Sequence, residues 1–368
     1  MTDSASLPLP RLQAQRLGHI AQARRQMLGE GQASAGLPGW IERSWRRCLA
    51  QGLRPSERVA FEAVSAQAMR RTLDTSAALR EAAGPVIRSL ARAMADTRYF
   101  ALLTDARGTV IEVNGPVDRH NPHAAAIARV GVDLSEGAVG TTAISATLAE
   151  QQPVWLHRGE HFFDQTSVYS CAGAPVLGPD GRCAGMLDLT GIDVDERPAL
   201  RHLVTQAARS IENALTLAQP HALLLRLSWP ARGIGEDSDG LVGVDGDGQI
   251  VAANRTATEM LGLPPSQPWP HCDDVFAVPH AHLFDAARAG RGAVEWPLWC
   301  GLRLQVLAVQ PNASREHAAH PTGHAVPLRQ VETAMIRKAV ADAGGNVADA
   351  ARALGISRAT VYRKLGRG

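Results

Sequence analysis

The sequence predicts an α+β fold: a larger block built on an antiparallel sheet, a smaller sheet-bearing module after it, and an all-α end. Three observations predict it. Short β-rich runs fill the middle of the chain, joined by turns such as Asp105-Ala106-Arg107-Gly108, Gly178-Pro179-Asp180-Gly181 and Asp245-Gly246-Asp247-Gly248. Helical periodicity lies at both ends and no strand–helix–strand unit repeats, which argues against a parallel sheet. Residues 346–368, NVADAARALGISRATVYRKLGRG, hold two short amphipathic stretches around one glycine corner.

The chain has 368 residues, enough for two or three domains with cores of their own. No apolar run reaches the ~20 residues of a membrane span. The first fifteen residues carry no apolar signal region, so a cytoplasmic protein without a membrane partner is expected. Five cysteines, Cys48, Cys171, Cys183, Cys272 and Cys300, are scattered and include no Cys-x-x-Cys. Neither a disulfide framework nor a zinc ribbon is suggested. Net charge is +2, but from Pro327 onward eight Arg/Lys face three Asp/Glu, giving +5 and leaving −3 on the rest. A basic end on a near-neutral body is the electrostatic footprint of a DNA-binding module.

In order, 11–28 reads as a helix and 38–49 as another, begun by Pro38, with Trp40, Ile41, Trp45 and Leu49 at helical spacing. Arg46 and Arg47 read as a solvated edge of that packing helix. A longer helical stretch, 65–96, should break at Gly84-Pro85. Strands are expected at 99–104, 109–113, 153–157, 168–177 and 182–189, with helices at 123–130, 137–150 and 197–217. After Pro220 a Gly/Ser/Asp-rich linker runs to Gly240. Strand 241–244, a glycine turn, strand 250–253 and a helix capped by Asn254 follow, and the alternation of 302–309 marks a last strand. Residues 311–326 read as a connector, and 328–343 as an amphipathic helix with Val331, Met335, Ala339 and Val340 in a stripe.

At the end of the chain, Asn346 is a good N-cap, and Val347, Ala350, Ala351 and Leu354 recur at helical spacing. Gly355 can take the left-handed turn that ends a helix, Ile356 fills the corner, and Ser357 caps the next helix. Arg358, Thr360, Tyr362, Arg363 and Lys364 join Asn346 and Ser357 as candidate DNA contacts. The helix start would lie near base edges and the later cations near phosphates. The bland alternative is a helical hairpin with a solvated basic face. Gly345-Asn346, Ala350-Ala351, Leu354-Gly355-Ile356-Ser357-Arg358 and 360–365 carry a resemblance to the Fis-type helix-turn-helix of bacterial enhancer-binding activators, with Val361 where Leu is common. The resemblance implies double-stranded DNA as a partner.

A second resemblance lies upstream. Ser44-Trp45 with Cys48, Ser135-Glu136, Gly140-Thr141-Thr142-Ala143-Ile144, Pro153-Val154, Glu160-His161-Phe162, Cys171-Ala172-Gly173-Ala174-Pro175 and Gly185-Met186-Leu187-Asp188-Leu189-Thr190-Gly191 recur in that order in the GAF-type sensor of acetoin-catabolism regulators. The likeness covers roughly 40–217, with Thr142 where those regulators usually carry Asn. Strand, glycine turn, strand and Asn-capped helix at 241–254 resemble the start of a PAS domain. The expected order is therefore a helical region at 1–97, a GAF-like sensor at 98–218, a linker at 219–238, a PAS-like module at 239–310, a linker at 311–326 and the helix-turn-helix at 327–368.

Candidate pocket residues are Glu136, Thr141, Thr142, His161, Phe162, Cys171 and Asp188. Structural alternatives stand beside them: Thr141 and Thr142 starting a helix, Asp188 capping strand-end amides, Cys171 as a small buried residue, His161 as a core histidine. His157-Arg158-Gly159-Glu160-His161 matches a zinc-peptidase pattern, but that chemistry needs a helix. A Pro-led strand and Gly159 make it a loop over the pocket. No phosphate loop, dinucleotide fingerprint or Gly-x-Ser-x-Gly turn is present. The ATPase that the resembled activators carry between sensor and DNA-binding end is accordingly expected to be missing. No catalytic residue, metal site or cofactor is expected.

The sequence thus points to a ligand-responsive transcription regulator without enzymatic activity. Its expected partners are double-stranded DNA, a small-molecule effector and a second copy in a homodimer, with RNA polymerase a further candidate. Two rivals remain: an architectural DNA binder with a vestigial sensor, and an enzyme using the sensor cavity through Cys171 or the His157/His161 pair.

Overall fold

The computed structural model describes residues 9–32, 36–230, 232–310 and Val347. The expectations for 328–343 and for the helix-turn-helix, with Asn346, Ser357, Arg358, Thr360, Tyr362, Arg363 and Lys364, lie outside the described residues.

Helix α1 (Leu9–Arg24) passes into one π-helical turn, Arg25–Gly29, and α2 (Gly39–Ala50) starts directly after Pro38. Ser65 caps α3 (Ala66–Thr75) by accepting the Ala68 N–H at 3.2 Å. Helix α4 (Ala77–Ala93) corrects an expectation: the break falls at Ser76, and Pro85 sits inside the helix. Packing overrides propensity there, because Leu79, Ala83, Ile87 and Leu90 are all buried along one side. Strands β1 (Tyr99–Asp105) and β2 (Val110–Asn114) form the expected hairpin. Asp105 holds its turn by accepting the N–H groups of Arg107 and Thr109.

Helix α5 (Pro122–Ile127) is capped by Asn121. The expected helix over 137–150 is two: α6 (Glu136–Val139) and α7 (Ala143–Glu150). Gly140, at φ 64°, ends the first, and a reciprocal cap between Thr142 and Ser145 opens the second. Strand β3 (Val154–His157), 3-10 turns at Arg158–Glu160 and Asp164–Val168, β4 (Tyr169–Leu177), β5 (Cys183–Ile192) and helix α8 (Leu200–Ala218) follow. The sheet order is β2-β1-β5-β4-β3, antiparallel throughout.

Side-chain alternation sorts this sheet into two cores. Tyr99, Ala101, Leu103, Leu187 and Leu189 face α4 and α8, whereas Phe100, Leu102, Cys171 and Met186 face the loops and short helices. Ile41, Trp45 and Cys48 of α2 belong to that second core and are fully buried. The boundary expected at residues 97/98 therefore runs through shared cores rather than between them. Arg47 also departs from a plain wet edge, since it pairs with Glu136 and Glu150.

The next module holds β6 (Leu223–Ser228), β7 (Gly240–Val244), β8 (Ile250–Ala253), α9 (Arg255–Leu261), α10 (Cys272–Val275), α11 (His280–Arg288), β9 (Val294–Pro297) and β10 (Arg303–Val309). Its order is β8-β7-β6-β10-β9, again antiparallel. This corrects the linker expected over 219–238, because Leu-Leu-Leu-Arg-Leu-Ser is the central strand. Leu223, Leu225 and Leu227 are fully buried there, and such a short apolar run between polar flanks is easily passed over in sequence.

Trp45 tests the shared core. Its indole is fully buried and donates to the Glu160 carbonyl at 3.0 Å. Trp45→Ala should cost about 3–5 kcal/mol of stability in urea unfolding of the sensor block. A loss below about 1 kcal/mol would show that α2 is an appendage.

Candidate functional site

The loop-bearing side of the first sheet encloses one narrow, mostly apolar cavity. Its volume is only about 20 Å³. That is room for no more than about one water-sized group. Leu102, Cys171, Asp188 and Thr190 form its floor from β1, β4 and β5, and Tyr169 enters from the start of β4. Thr142, Ala143 and Ile144 at the start of α7 form one wall. Phe61, Ile127, Leu134, His161 and Thr166 complete it from loops and α5.

The floor follows from strand geometry. Asp188 and Thr190 sit two apart on β5 and so share a face, and Cys171 is the cross-strand partner of Thr190. Gly173 is the partner of Asp188. A Cβ at Gly173 would lie 2.5 Å from Thr147 Oγ1 and 3.1 Å from the Ala143 carbonyl oxygen. Only glycine lets α7 lie directly on β4 and roof the site.

Two polar atoms in the cavity-lining residues have no hydrogen-bond partner: His161 Nε2 and Asp188 Oδ1. His161 is wholly buried, and its Nδ1 lies 2.9 Å from the Arg158 carbonyl, which can only accept. The proton is thereby assigned to Nδ1, leaving Nε2 as a bare acceptor. Burial lowers the His161 pKa to about 4, so the ring is neutral at pH 7. Burial raises the Asp188 pKa to about 7, against a hydrogen bond donated by Thr190 Oγ1 to Oδ2. Among the described residues no cation contacts that carboxyl. Burial also pushes the Cys171 thiol well above its usual range, with Asp188 acting in the same direction. A thiol held protonated in this way is a poor nucleophile.

The loop that carries His161 is held from outside. Arg24 of α1 donates to the carbonyls of Gly159, His161 and Phe162 and to the Asp164 carboxylate, at 2.5–3.2 Å. Its guanidinium stands 5.9 Å from the centre of the Trp45 ring. Arg16 bridges Glu160 and Glu196 at 2.7 Å each. Burial raises the Glu160 pKa to about 7, and the Arg16 charge opposes the rise.

Of the seven expected pocket residues, the structure brings together Thr142, His161, Cys171 and Asp188. Thr142 also keeps its structural role, since its hydroxyl accepts the Ser145 N–H at 3.1 Å. Glu136, Thr141 and Phe162 lie elsewhere. Glu136 accepts from Ser44 and from both Nε and Nη2 of Arg47, and Thr141 bonds to Ser44 at 2.7 Å. These two tie α2 to the sensor. Phe162 packs edge-on against Phe163 at 5.1 Å. The His157–His161 segment is a short 3-10 turn, and His157 Nδ1 meets Ser170 Oγ at 2.7 Å, so the peptidase arrangement is not formed. Thr190 was missed, although its place two residues after Asp188 could have revealed it. Phe61, Leu102, Ile127, Leu134, Thr166 and Tyr169 were missed as well, and loop residues so far apart leave no sequence signal.

The two buried groups titrate with opposite sign. Unfolded His161 takes a proton near pH ~6.5 and the native ring only at about 4, so its stability contribution is lost as pH falls through that window. Native Asp188 keeps its proton to about 7 while the unfolded chain releases it at ordinary acid pH, so stability falls as pH rises toward 7. Asp188→Asn should therefore gain stability over the parent progressively between about pH 4 and pH 7, read from urea midpoints. A pH-independent difference would mean that native Asp188 is ionised throughout.

Comparison with known proteins gives a consistent picture. Residues 18–213 match the family described as MimR, N-terminal domain, and residues 327–368 match bacterial regulatory protein, Fis family. The acetoin catabolism regulatory protein of Cupriavidus necator is 28% identical over 228 residues, 60% of this chain and 34% of that protein. The propane 2-monooxygenase operon transcriptional activator MimR of Mycolicibacterium goodii is 27% identical over 245 residues, 65% of this chain and 40% of that protein. This chain thus aligns with only about a third of the length of such relatives. Among solved structures, the E. coli DhaR(N)-DhaL complex has a TM-score of 0.46 at 16% identity, covering 74% of this chain and 99% of that one. With its match running through α2, the cavity and α8, the chain belongs to the MimR N-terminal domain family.

Proposed function

We propose that the protein is a DNA-binding transcription regulator whose GAF-like block senses a small, uncharged organic molecule. One observation carries the reading: two wholly buried polar atoms, the acceptor Nε2 of His161 and Oδ1 of Asp188, stand unpartnered in residues lining an apolar cavity. Orphaned buried polar atoms are costly, and a ligand that pairs them recovers that cost. The chemistry favours a hydroxyl that donates to His161 together with a second oxygen or hydroxyl that meets Asp188. A small carbonyl, alcohol or aromatic metabolite fits that demand. A carboxylate or phosphate does not, because no cation lines the cavity among the described residues.

The cavity is too narrow for such a molecule as it stands. Binding therefore requires the walls to move, which supplies the two unequal states that regulation needs. The buried, un-ionised thiol of Cys171 and the absence of a phosphate loop from the sequence support a regulator rather than an enzyme. The Fis-type match at 327–368 supports DNA as partner. A homodimer would place two reading helices on half-sites about 34–36 Å apart. Contact with RNA polymerase belongs to the same proposal.

Thermal melting of the full chain against a panel of small alcohols, ketones and aromatic alcohols tests the sensor. At least one member should raise the melting temperature and change DNA affinity, and His161→Phe should remove both effects. A panel without any shift, in a protein that still binds DNA, would leave the architectural reading in its place.

The DNA arm is separate. Arg358→Ala should cost on the order of 1–3 kcal/mol on a specific site, whereas Arg363→Ala should weaken all DNA alike. Unchanged affinity after deletion of 346–368 would sink the assignment.

A further inference from the structure

His271, Asp273 and His280 converge on the second module, away from the cavity. One ligand atom from each lies within 4.8 Å of the others. Asp273 Oδ2 is 3.6 Å from His271 Nδ1 and 3.1 Å from His280 Nδ1. Two ligands bound tetrahedrally at ~2.0–2.1 Å from a zinc ion stand about 3.3 Å apart, so these spacings bracket a tetrahedral edge. The two imidazole rings stand at 88° with centroids 4.9 Å apart, which leaves both Nδ1 atoms free of a stacked ring.

The surroundings prepare the same three atoms. His271 Nε2 meets the Asp247 carbonyl at 2.7 Å, and a carbonyl only accepts. The ring proton is therefore on Nε2, and the lone pair is on Nδ1. A histidine that ligates through one nitrogen and donates from the other to a carbonyl is the usual outer-shell arrangement of a metal site. Asp273 Oδ1 accepts the His280 backbone N–H at 2.6 Å, which orients the carboxylate and leaves Oδ2 toward the rings. Gly248 makes the approach possible, because a Cβ there would lie 2.5 Å from His271 Nε2 and 2.7 Å from His280 Cγ. All three side chains are part-exposed, at 30%, 46% and 31%, so an ion can reach them.

We propose that His271 Nδ1, His280 Nδ1 and Asp273 Oδ2 bind one divalent transition-metal ion, with the fourth position left to solvent. Two imidazoles and one carboxylate select zinc, cobalt or nickel over magnesium or calcium, which require oxygen donors. On binding, the neutral His280 ring changes tautomer, its Nδ1 proton passing through solvent to Nε2, and His271 Nδ1 exchanges the Asp273 N–H, 3.1 Å away, for the ion, leaving that exposed N–H to water. The ion would tie the start of α10 to the start of α11, beside the β7–β8 turn that His271 already holds through the Asp247 carbonyl.

The competing account is a capping network, since His271 caps α10 and Asp273 holds the start of α11. Two substitutions separate the accounts. His271→Asn keeps an N-cap acceptor, and Asp273→Asn keeps the carbonyl that accepts the His280 N–H, yet each removes a metal ligand. The experiment titrates tag-free full-length protein with zinc chloride by calorimetry and melting, with magnesium chloride as control. Cobalt(II) then reports the donors by its visible spectrum. The expected result is equimolar zinc binding, a rise in melting temperature that magnesium does not give, and a cobalt spectrum without thiolate charge-transfer bands. Both variants should lose the zinc-induced rise in melting temperature and bind zinc weaker by on the order of 100-fold. Failure of the parent to bind zinc, full zinc affinity in both variants, or thiolate bands from the cysteines would each overturn the proposal.

Discussion

A buried carboxyl group that meets no cation among the described residues constrains the whole cavity face. Asp188 is fully enclosed and has one hydrogen bond, from Thr190. In such a place the charged form is disfavoured, and the group keeps its proton into the neutral range. That holds only while water stays out, so the enclosure is as much a requirement as the residue. The enclosure depends on Gly173, which lets α7 lie on the sheet, and on α2, whose Trp45 and Ile41 back the loops that close the other side. The chain carries α2 for this reason, and Glu136, Thr141 and Arg47 are spent on fastening it.

The fold was legible where one signal decided one element. Asp/Gly turns between β-rich runs located the hairpins of β1–β2 and β4–β5, and periodic leucines and valines located α8. It was illegible where packing outweighed local preference. Pro85 continues a helix because α4 is buried along its length, and Leu223–Ser228 becomes a central strand although its neighbours look like a linker. The cavity was half legible. Asp188 and Cys171 stand at strand positions where period two fixes the face. Thr141 is next to the wall residue Thr142 and Glu136 is two after Leu134, but both side chains pair with α2 instead. The His271/Asp273/His280 cluster was not legible. Its members straddle a short helix and Pro279, and no fixed spacing marks them.

The cavity and the second module share one strand. The residues of β4 run from Tyr169 and Cys171 at the cavity to Pro175 and Leu177 at its far end. Leu177 donates its N–H to Glu212 of α8 at 2.9 Å, and Arg255 of α9 donates to the same carboxylate oxygen at 2.9 Å. Asn254 meets Asn213 at 2.7 Å, and the Ala253 N–H reaches the Pro179 carbonyl at 3.1 Å. One buried carboxylate thus joins the sensor strand, the long helix and the first helix of the second module.

This joint favours rigid transmission over local give. Separating Glu212 from Arg255 would strand a carboxylate that is 2% exposed, and breaking such a pair costs about 3–5 kcal/mol. Tilting the second module together with β4 and α8 leaves the pair intact and costs less. A displacement of β4 would therefore meet β8 and α9 through the Glu212 joint rather than be absorbed at it.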